Sequence, residues 1–383
     1  MAFAAEREAL VRAGRELLKK GLVARTWGNL SIRVDGGRFL ITPSGRSYEM
    51  VGPDDLALVT LDDLTWEGPL KPSSEKELHA RTYRMRPDVG AVIHTHQSAA
   101  SSLAAARKGF APQAAAVGDT GIGRVPGADE ADLGSVVPCV PYALPTTRAL
   151  ARAVEKTLET AVPGVKALLL SNHGAVCLGA DIDGALRTAL MLEEAAEAEI
   201  LTGFRARIGD EVDNGAAAAA VRAGVLSEYA GNGAGGEAWD VSAVEELLTA
   251  VRKALPRAAV RAATTPYVVA AAGRGRTVVP YLDDFAQIIG PSLPVVTVGQ
   301  GGAKDVRRIV RALGRRSAVL VPGLGCVCAA GRESDAQAVA MVAEKGCRAA
   351  VETGILGGGR RIARLEARFM RLIYLAKYSK KAL

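Results

Sequence analysis

Aromatic residues are scarce in this chain, at 4% of 383 residues. That leaves no stacking platform for nucleic-acid bases. The excess of lysine and arginine, which brings the net charge to +7, is mostly interleaved with acids. Nucleic acid is therefore not an expected partner. Nor does any stretch approach the roughly 20 apolar residues that span a bilayer. The N-terminus turns charged at Glu6 instead of reading as a signal peptide, so the expectation is a cytoplasmic protein with no membrane partner. The five cysteines are odd in number and lack paired metal-ligand spacing, which argues against a disulfide framework and for a reducing compartment. Cys326 and Cys328 flank a single residue, so on a strand they would point to one face as buried thiols.

Histidine is scarcer still: there are four. Two stand one residue apart in "AVIHTHQ", at the end of an apolar run, where side chains at i and i+2 of a strand point the same way. His94 and His96 can thus reach one ion, at about 2.0 to 2.1 Å each. His173, in "LLLSNHGAV", follows another apolar run, and Gly174 beside it permits a tight turn. Three nitrogens with an open position describe a catalytic metal site rather than a closed structural one. Glu75 lies at the start of a predicted helix and could enter the same pocket, ligating the ion or carrying protons. His79, one helical turn on, could buttress it, but the expectation is that it is merely a satisfied neighbour.

Three small-residue elements suit an anion: Thr26 and Asn29 in "RTWGNLS", Ser44 and Gly45 in "TPSG", and Ser73 with Ser74 before the helix. Hydroxyls, an amide and backbone N–H groups at such turns can cradle a phosphate without a lysine clamp.

The pattern along the chain predicts a helix over 6–20, short strands at 30–34, 38–42 and 56–61, and a helix capped by Ser74 with Glu77 in the capping-box position. A buried strand at 165–171 and a long amphipathic helix at 181–204 follow. Residues 209–236 are rich in Gly and Ala and read as a linker. Beyond it the pattern restarts with an opening helix capped by Asp240. "KALLLSNHGAVCLGADIDGAL" is echoed by "SAVLVPGLGCVCAAGRESDAQ", with Gly174 on Gly325, Cys177 on Cys328 and His173 on Leu324. "AVIHTHQSAASSL" is placed on "TVVPYLDDFAQII", with Pro280 and Leu282 standing for the two histidines. Two domains joined by a linker result: 1–208 with the metal ligands, the linker 209–236, and 237–383 as a copy without them. Near the C-terminus, Arg361, Arg364, Arg368 and Arg371 recur opposite Ile362, Leu365, Phe369 and Leu372, which predicts a docked helix with a solvated basic face. A glycine-rich turn at "VVTVGQGGAKDV" puts lysine where a dinucleotide fingerprint has its third glycine, and reads as a plain strand-to-helix turn.

The blocks "GLVARTWGNLSIR", "FLITPSG", "KPSSEKELH", "AVIHTH", "PCVPYALPTTRALA" and "NHGAVCLGADIDGAL" resemble the class II aldolase/adducin family over roughly the first 205 residues. The resemblance implies an α/β fold of two related three-layer α-β-α domains with mostly antiparallel central sheets. It implies His94, His96 and His173 as zinc ligands, Glu75 as acid/base that also approaches the metal, and Thr26, Asn29, Ser44, Gly45, Ser73 and Ser74 as phosphate contacts. The implied reaction is retro-aldol cleavage of a ketose 1-phosphate, such as L-fuculose 1-phosphate, to dihydroxyacetone phosphate and an aldehyde. A homo-oligomer is implied, with the domains in a fourfold or pseudo-fourfold ring. Residues 109–117 contain no tyrosine, although a family aldolase uses one shortly after this strand at a neighbouring subunit's site.

Rival readings share the metal site. A pentulose-phosphate 4-epimerase of the family typically has "SSD" where this chain has "SSE", and sugar-phosphate dehydratases or decarboxylases could use the same ion. A non-enzymatic adducin-like scaffold suits only the second domain, which lacks the ligands.

Overall fold

A computed structural model describes residues 2–112, 133–208, 218–230, 239–299, 302–314 and 316–378. The chain forms two compact units, Met1–Ile200 with Tyr378–Leu383, and Leu201–Lys377.

The first unit opens with α1 (Ala4–Lys19), whose Leu10, Val11 and Leu17 are buried. Four strands follow, β1 (Asn29–Arg33), β2 (Arg38–Ile41), β3 (Ala57–Thr60) and β4 (Trp66–Glu67), then α2 (Lys76–Met85), β5 (Ala91–Thr95) and α3 (Ser98–Ala106). β6 (Cys139–Val140), α4 (Arg148–Thr160), β7 (Ala167–Leu170), β8 (Gly174–Gly179) and α5 (Ile182–Ile208) complete it. The strands form one sheet in the order β4-β3-β2-β1-β5-β8-β7-β6, and only β6 and β7 run parallel. β1 and β2, β3 and β4, and β7 and β8 are joined by short connections, which pair antiparallel, whereas the parallel β6 and β7 are joined through α4.

Period-two alternation decides which residues meet the helices. Val92, Leu168, Leu170, Val176 and Leu178 share one core with Leu78 and Tyr83 of α2 and Leu150, Val154 and Leu158 of α4. α3 packs on β7 and β8, and α1 on β1. The unit is thus a sheet between helical layers, as expected.

The second unit holds α6 (Ala218–Ala230), α7 (Val241–Ala254), β9 (Ala259–Ala263), α8 (Pro266–Gly273), α9 (Asp283–Ile288), α10 (Ala303–Leu313), β10 (Ala318–Val321), β11 (Gly325–Ala330), α11 (Glu333–Ile355) and α12 (Arg364–Ile373). Its sheet has the antiparallel order β10-β11-β9. Leu247 and Val251 of α7 and Ile309 and Leu313 of α10 pack with Val260, Val319 and Val327 of the sheet. Asp240 caps α7, its carboxylate accepting the Ala243 N–H at 2.7 Å. Cys326 and Cys328 do share a face, with their Sγ atoms 3.7 Å apart, and both are free thiols.

Several expectations change. The Gly- and Ala-rich stretch, read as a linker with room for one short helix, contains α6, which packs on α8; the compact units meet at Ile200, inside α5. By sheet register, the strand that matches β5 is β9, not the segment holding Pro280 and Leu282. β9 pairs with β11 as Ala263↔Cys326 and Ala262↔Val327, the register β5 keeps with β8 as Thr95↔Ala175 and His94↔Val176. Ala262, Thr264 and Leu324 therefore stand where the first unit has His94, His96 and His173. Leu282 instead flanks α9, two residues after Pro280. α7 immediately precedes β9 and so takes the place of α2, not of the opening helix. Among the described residues, the second unit has no counterpart of α1 or of β1 to β4.

Two further corrections concern helix ends and faces. The N-cap of α2 is Glu75, not Ser74; the Ser73 Oγ accepts the Glu75 N–H at 3.2 Å, and the Glu75 side chain makes no cap bond. Glu77 pairs with Arg81 instead of completing a capping box. In α12 the docked face is Ala367, Met370 and Arg371, while Leu365, Phe369 and Leu372 are 78%, 53% and 65% exposed. The cause is Arg371, which donates to the carbonyls of Gln287 and Ile288 and to Ser317 Oγ.

Candidate functional site

β5 delivers His94 fully buried, on the same face as Val92. His96 follows two residues later, beyond the end of the strand, and His173 sits in the turn between β7 and β8. That turn is tight for a steric reason: Gly174 lies against the Thr95 carbonyl, where a Cβ would overlap it. The turn brings His173 over His94, ring on ring, with centroids 4.7 Å apart and planes inclined by 13°. One nitrogen from each of His94, His96 and His173 lies within 4.8 Å of the others, a grouping able to hold a metal ion.

The donor set suits that role. His94 Nδ1–H donates to the Ala175 carbonyl at 2.8 Å, which orients the ring and leaves Nε2 as the ligand atom. Nε2 atoms of His94 and His96 are 3.1 Å apart. Two ligand atoms of a tetrahedral zinc-type ion lie about 3.4 Å from each other, so the spacing is close to what one shared ion demands. Burial, the largest influence, pushes the His94 pKa well below that of free imidazole; His173 and His96 add to this and Glu75 opposes it. A neutral imidazole is the form that ligates.

Glu75 completes the group. Its Oε2 lies 3.4 Å from His94 Nε2 and its Oε1 3.4 Å from His173 Nε2, and the residue is only 8% exposed. Oε2 accepts the Asn29 amide at 3.0 Å, and Oε1 accepts the Thr146 backbone N–H at 3.3 Å. Burial alone would raise the Glu75 pKa and is the largest influence. His94, His173 and Asn29 act the other way and together hold the carboxyl well below the usual carboxylate range. Asn29 is placed here because it pairs with His94 across β1 and β5.

The residues expected to take a phosphate distribute as follows. Ser44 N–H donates to the Lys71 carbonyl and Ser73 N–H to the Thr42 carbonyl, at 2.9 and 3.0 Å, so the turn with Ser44 and Gly45 runs beside Ser73 and Ser74. Gly45 adopts the left-handed conformation, at φ 76°. Ser73 is buried, Ser74 exposed, and Thr26 and Ser44 are half-buried. Thr26 lies two residues before Gly28, whose Cα packs against the His94 carbonyl. Asn29 is turned to Glu75. Residues 113–117 of the tyrosine-free segment lie outside the described residues.

Sequence reasoning missed three partners. Thr146, with φ 62°, aims its backbone N–H at Glu75 from the loop before α4; a backbone donor leaves no residue-type signal. Ser31 and Tyr83 bond each other at 2.7 Å beside His79. Their signal was present: Glu75, His79 and Tyr83 are spaced by four on α2, and Asn29 and Ser31 by two on β1.

Comparison with known proteins gives the family of the first unit. The family described as class II aldolase and adducin N-terminal domain matches residues 8–200. A 5-methylthioribulose-1-phosphate/5-deoxyribulose-1-phosphate aldolase of Rhodospirillum rubrum is 34% identical over 191 residues, covering 50% of this chain and 78% of that protein. A 5-deoxy-D-ribulose 1-phosphate aldolase of Bacillus thuringiensis is 32% identical over 193 residues, covering 50% and 83%. A solved L-fuculose 1-phosphate aldolase aligns with 27% identity and a TM-score of 0.47, over 55% of this chain and 91% of that one.

Proposed function

The chain belongs to the family of class II aldolases and adducin N-terminal domains, and from that premise we propose that it cleaves a ketose 1-phosphate to dihydroxyacetone phosphate and an aldehyde, using one zinc ion. The single observation carrying this is the Glu75 carboxylate, with each oxygen 3.4 Å from a different imidazole of the three-histidine group. In this reading His94, His96 and His173 hold the ion, and Glu75 both approaches it and moves the proton. When bound, the ion supplies Lewis-acid polarisation of the substrate carbonyl and stabilises the negative charge that develops there.

Cleavage breaks the C3–C4 bond. The C4 hydroxyl loses its proton as the aldehyde forms, and the bonding pair stays on C3. A proton delivered to C3 then gives dihydroxyacetone phosphate, and Glu75 carries it. Asn29 and the Thr146 N–H hold the carboxylate for this step. Thr26, Ser44, Gly45, Ser73 and Ser74, with Asn29 at their edge, would take the phosphate. Their hydroxyls and turn N–H groups replace a lysine clamp.

The names of the two curated relatives favour a 5-deoxy pentulose 1-phosphate over L-fuculose 1-phosphate as the substrate, and both share the same phosphorylated head. A homo-oligomer with its domains in a fourfold or pseudo-fourfold ring belongs to the same reading, and solution mass tests it. The function itself is tested by assaying the purified, zinc-loaded protein for dihydroxyacetone phosphate release from a panel of ketose 1-phosphates, with Glu75→Gln as control. Release that depends on Glu75 supports the reading. Epimerised product without release would replace it with the epimerase.

A further inference from the structure

We propose that His79 is a positioning residue that fixes the Asn29 amide, and through it the Glu75 carboxylate, in the orientation proton transfer requires. The inference rests on the role given to Glu75 above.

His79 is fully buried on α2 and touches neither Glu75 nor the other histidines through a hydrogen bond of its own. Its Nε2 meets Asn29 Oδ1, its Nδ1 lies 2.6 Å from Ser31 Oγ, and Ser31 Oγ lies 2.7 Å from the Tyr83 hydroxyl. Asn29 Nδ2 then reaches Glu75 Oε2 at 3.0 Å. These contacts form one chain, Tyr83, Ser31, His79, Asn29 and Glu75, drawn from α2 and β1.

The chain has one consistent polarity, and its end sets it. An ionised carboxylate only accepts, so Asn29 must turn its NH2 to Glu75 and its carbonyl to His79. The amide oxygen also only accepts, so His79 must carry its proton on Nε2. A neutral ring then has Nδ1 as acceptor, which takes the Ser31 hydroxyl, and Ser31 in turn takes the Tyr83 hydroxyl. Burial pushes the His79 pKa down to about 4, with Glu75 opposing, so the ring is neutral at ordinary pH. An amide rotated by half a turn would present its oxygen to the carboxylate; the His79 N–H prevents this. A satisfied core histidine would have no such directional tie to the site, since its partners could swap roles without consequence.

The test uses the full-length protein and two readouts. First, nitrogen-15 NMR of the four histidine rings at neutral pH reads the His79 tautomer without metal or substrate; Nε2–H is expected. Second, zinc-loaded wild type, His79→Leu and His79→Gln are compared for exchange of the C3 protons of dihydroxyacetone phosphate with deuterated water. His79→Leu is expected to lower kcat for exchange about 10- to 100-fold, with KM within about threefold and bound zinc unchanged. His79→Gln, which can donate to Asn29 and accept from Ser31, should recover most of the rate. An Nδ1–H tautomer, a wild-type kcat in His79→Leu, or a loss that glutamine leaves unrescued would overturn the proposal. Wild-type protein that binds zinc but exchanges nothing sinks the aldolase reading instead, and the tautomer then decides the positioning role alone.

Discussion

Gly174 lies directly against the Thr95 carbonyl, at a place where any Cβ would overlap the oxygen, and this contact brings His173 to the end of β5. The second unit repeats it: Gly325 lies against the Ala263 carbonyl at the matching register. One backbone device therefore serves both units, and only the first has histidines around it. Gly174→Ala should destabilise the protein by about 1 to 3 kcal/mol, the usual cost of overpacking, and weaken zinc binding. Gly325→Ala should cost more, because its φ of 122° adds backbone strain to the overlap, and leave zinc binding unchanged. Urea unfolding with zinc titration of both variants checks this; equal effects on zinc would break the account.

Glu75→Gln removes the proposed proton carrier but none of the three nitrogens. The variant is expected to retain bound zinc and lose at least about 100-fold in turnover. Atomic-emission metal analysis beside the dihydroxyacetone phosphate assay measures both, and a variant that turns over at the wild-type rate would remove Glu75 from the mechanism.

Stability should depend on pH through His79. Its pKa is depressed in the fold to about 4, from 6.5. The unfolded chain therefore binds the proton first as pH falls, and stability is full above 6.5 and declines between 6.5 and 4. The contribution at stake is roughly 3 kcal/mol. His79→Gln cannot take up that proton, so the difference between its urea-unfolding pH profile and that of wild type should show this slope. Superimposable profiles would contradict the burial argument.

The faces of α12 separate in the same way. Arg371→Ala removes the donors to the Gln287 and Ile288 carbonyls and to Ser317 Oγ, of which Ile288 O and Ser317 Oγ keep their bond to each other, and should cost about 0.5 to 1.5 kcal/mol. Phe369→Ser, on the exposed face, should stay within about 0.5 kcal/mol. Thermal or urea unfolding of the two variants distinguishes the docked face from the solvent face.

The contrast with α12 shows where sequence is readable. His94, His96 and His173 were legible because scarce residues ended apolar runs, and strand periodicity alone turned the first two to one side. Cys326 and Cys328 followed the same rule. Apolar periodicity misjudged α12, where half-buried Arg371 bonds the Gln287 and Ile288 carbonyls on the docked side and three larger apolar side chains face out. The copy of the histidine strand was misplaced because Ala262 and Thr264 bear no likeness to histidine, and only the pairing of β9 with β11 reveals them. Ser74 looked like the cap of α2, but Glu75 holds that position, its N–H on Ser73 Oγ and its carboxylate turned to Asn29 and the histidines. The Thr146 N–H was invisible, since every residue has one.

The most direct measurement is the zinc stoichiometry of purified protein and of its His94→Ala, His96→Ala and His173→Ala variants, each shown to be folded by circular dichroism. The account predicts about one ion per chain in wild type, with each variant losing most of it. Stoichiometry unchanged in His173→Ala, or folded wild type that binds no divalent ion at all, would contradict it.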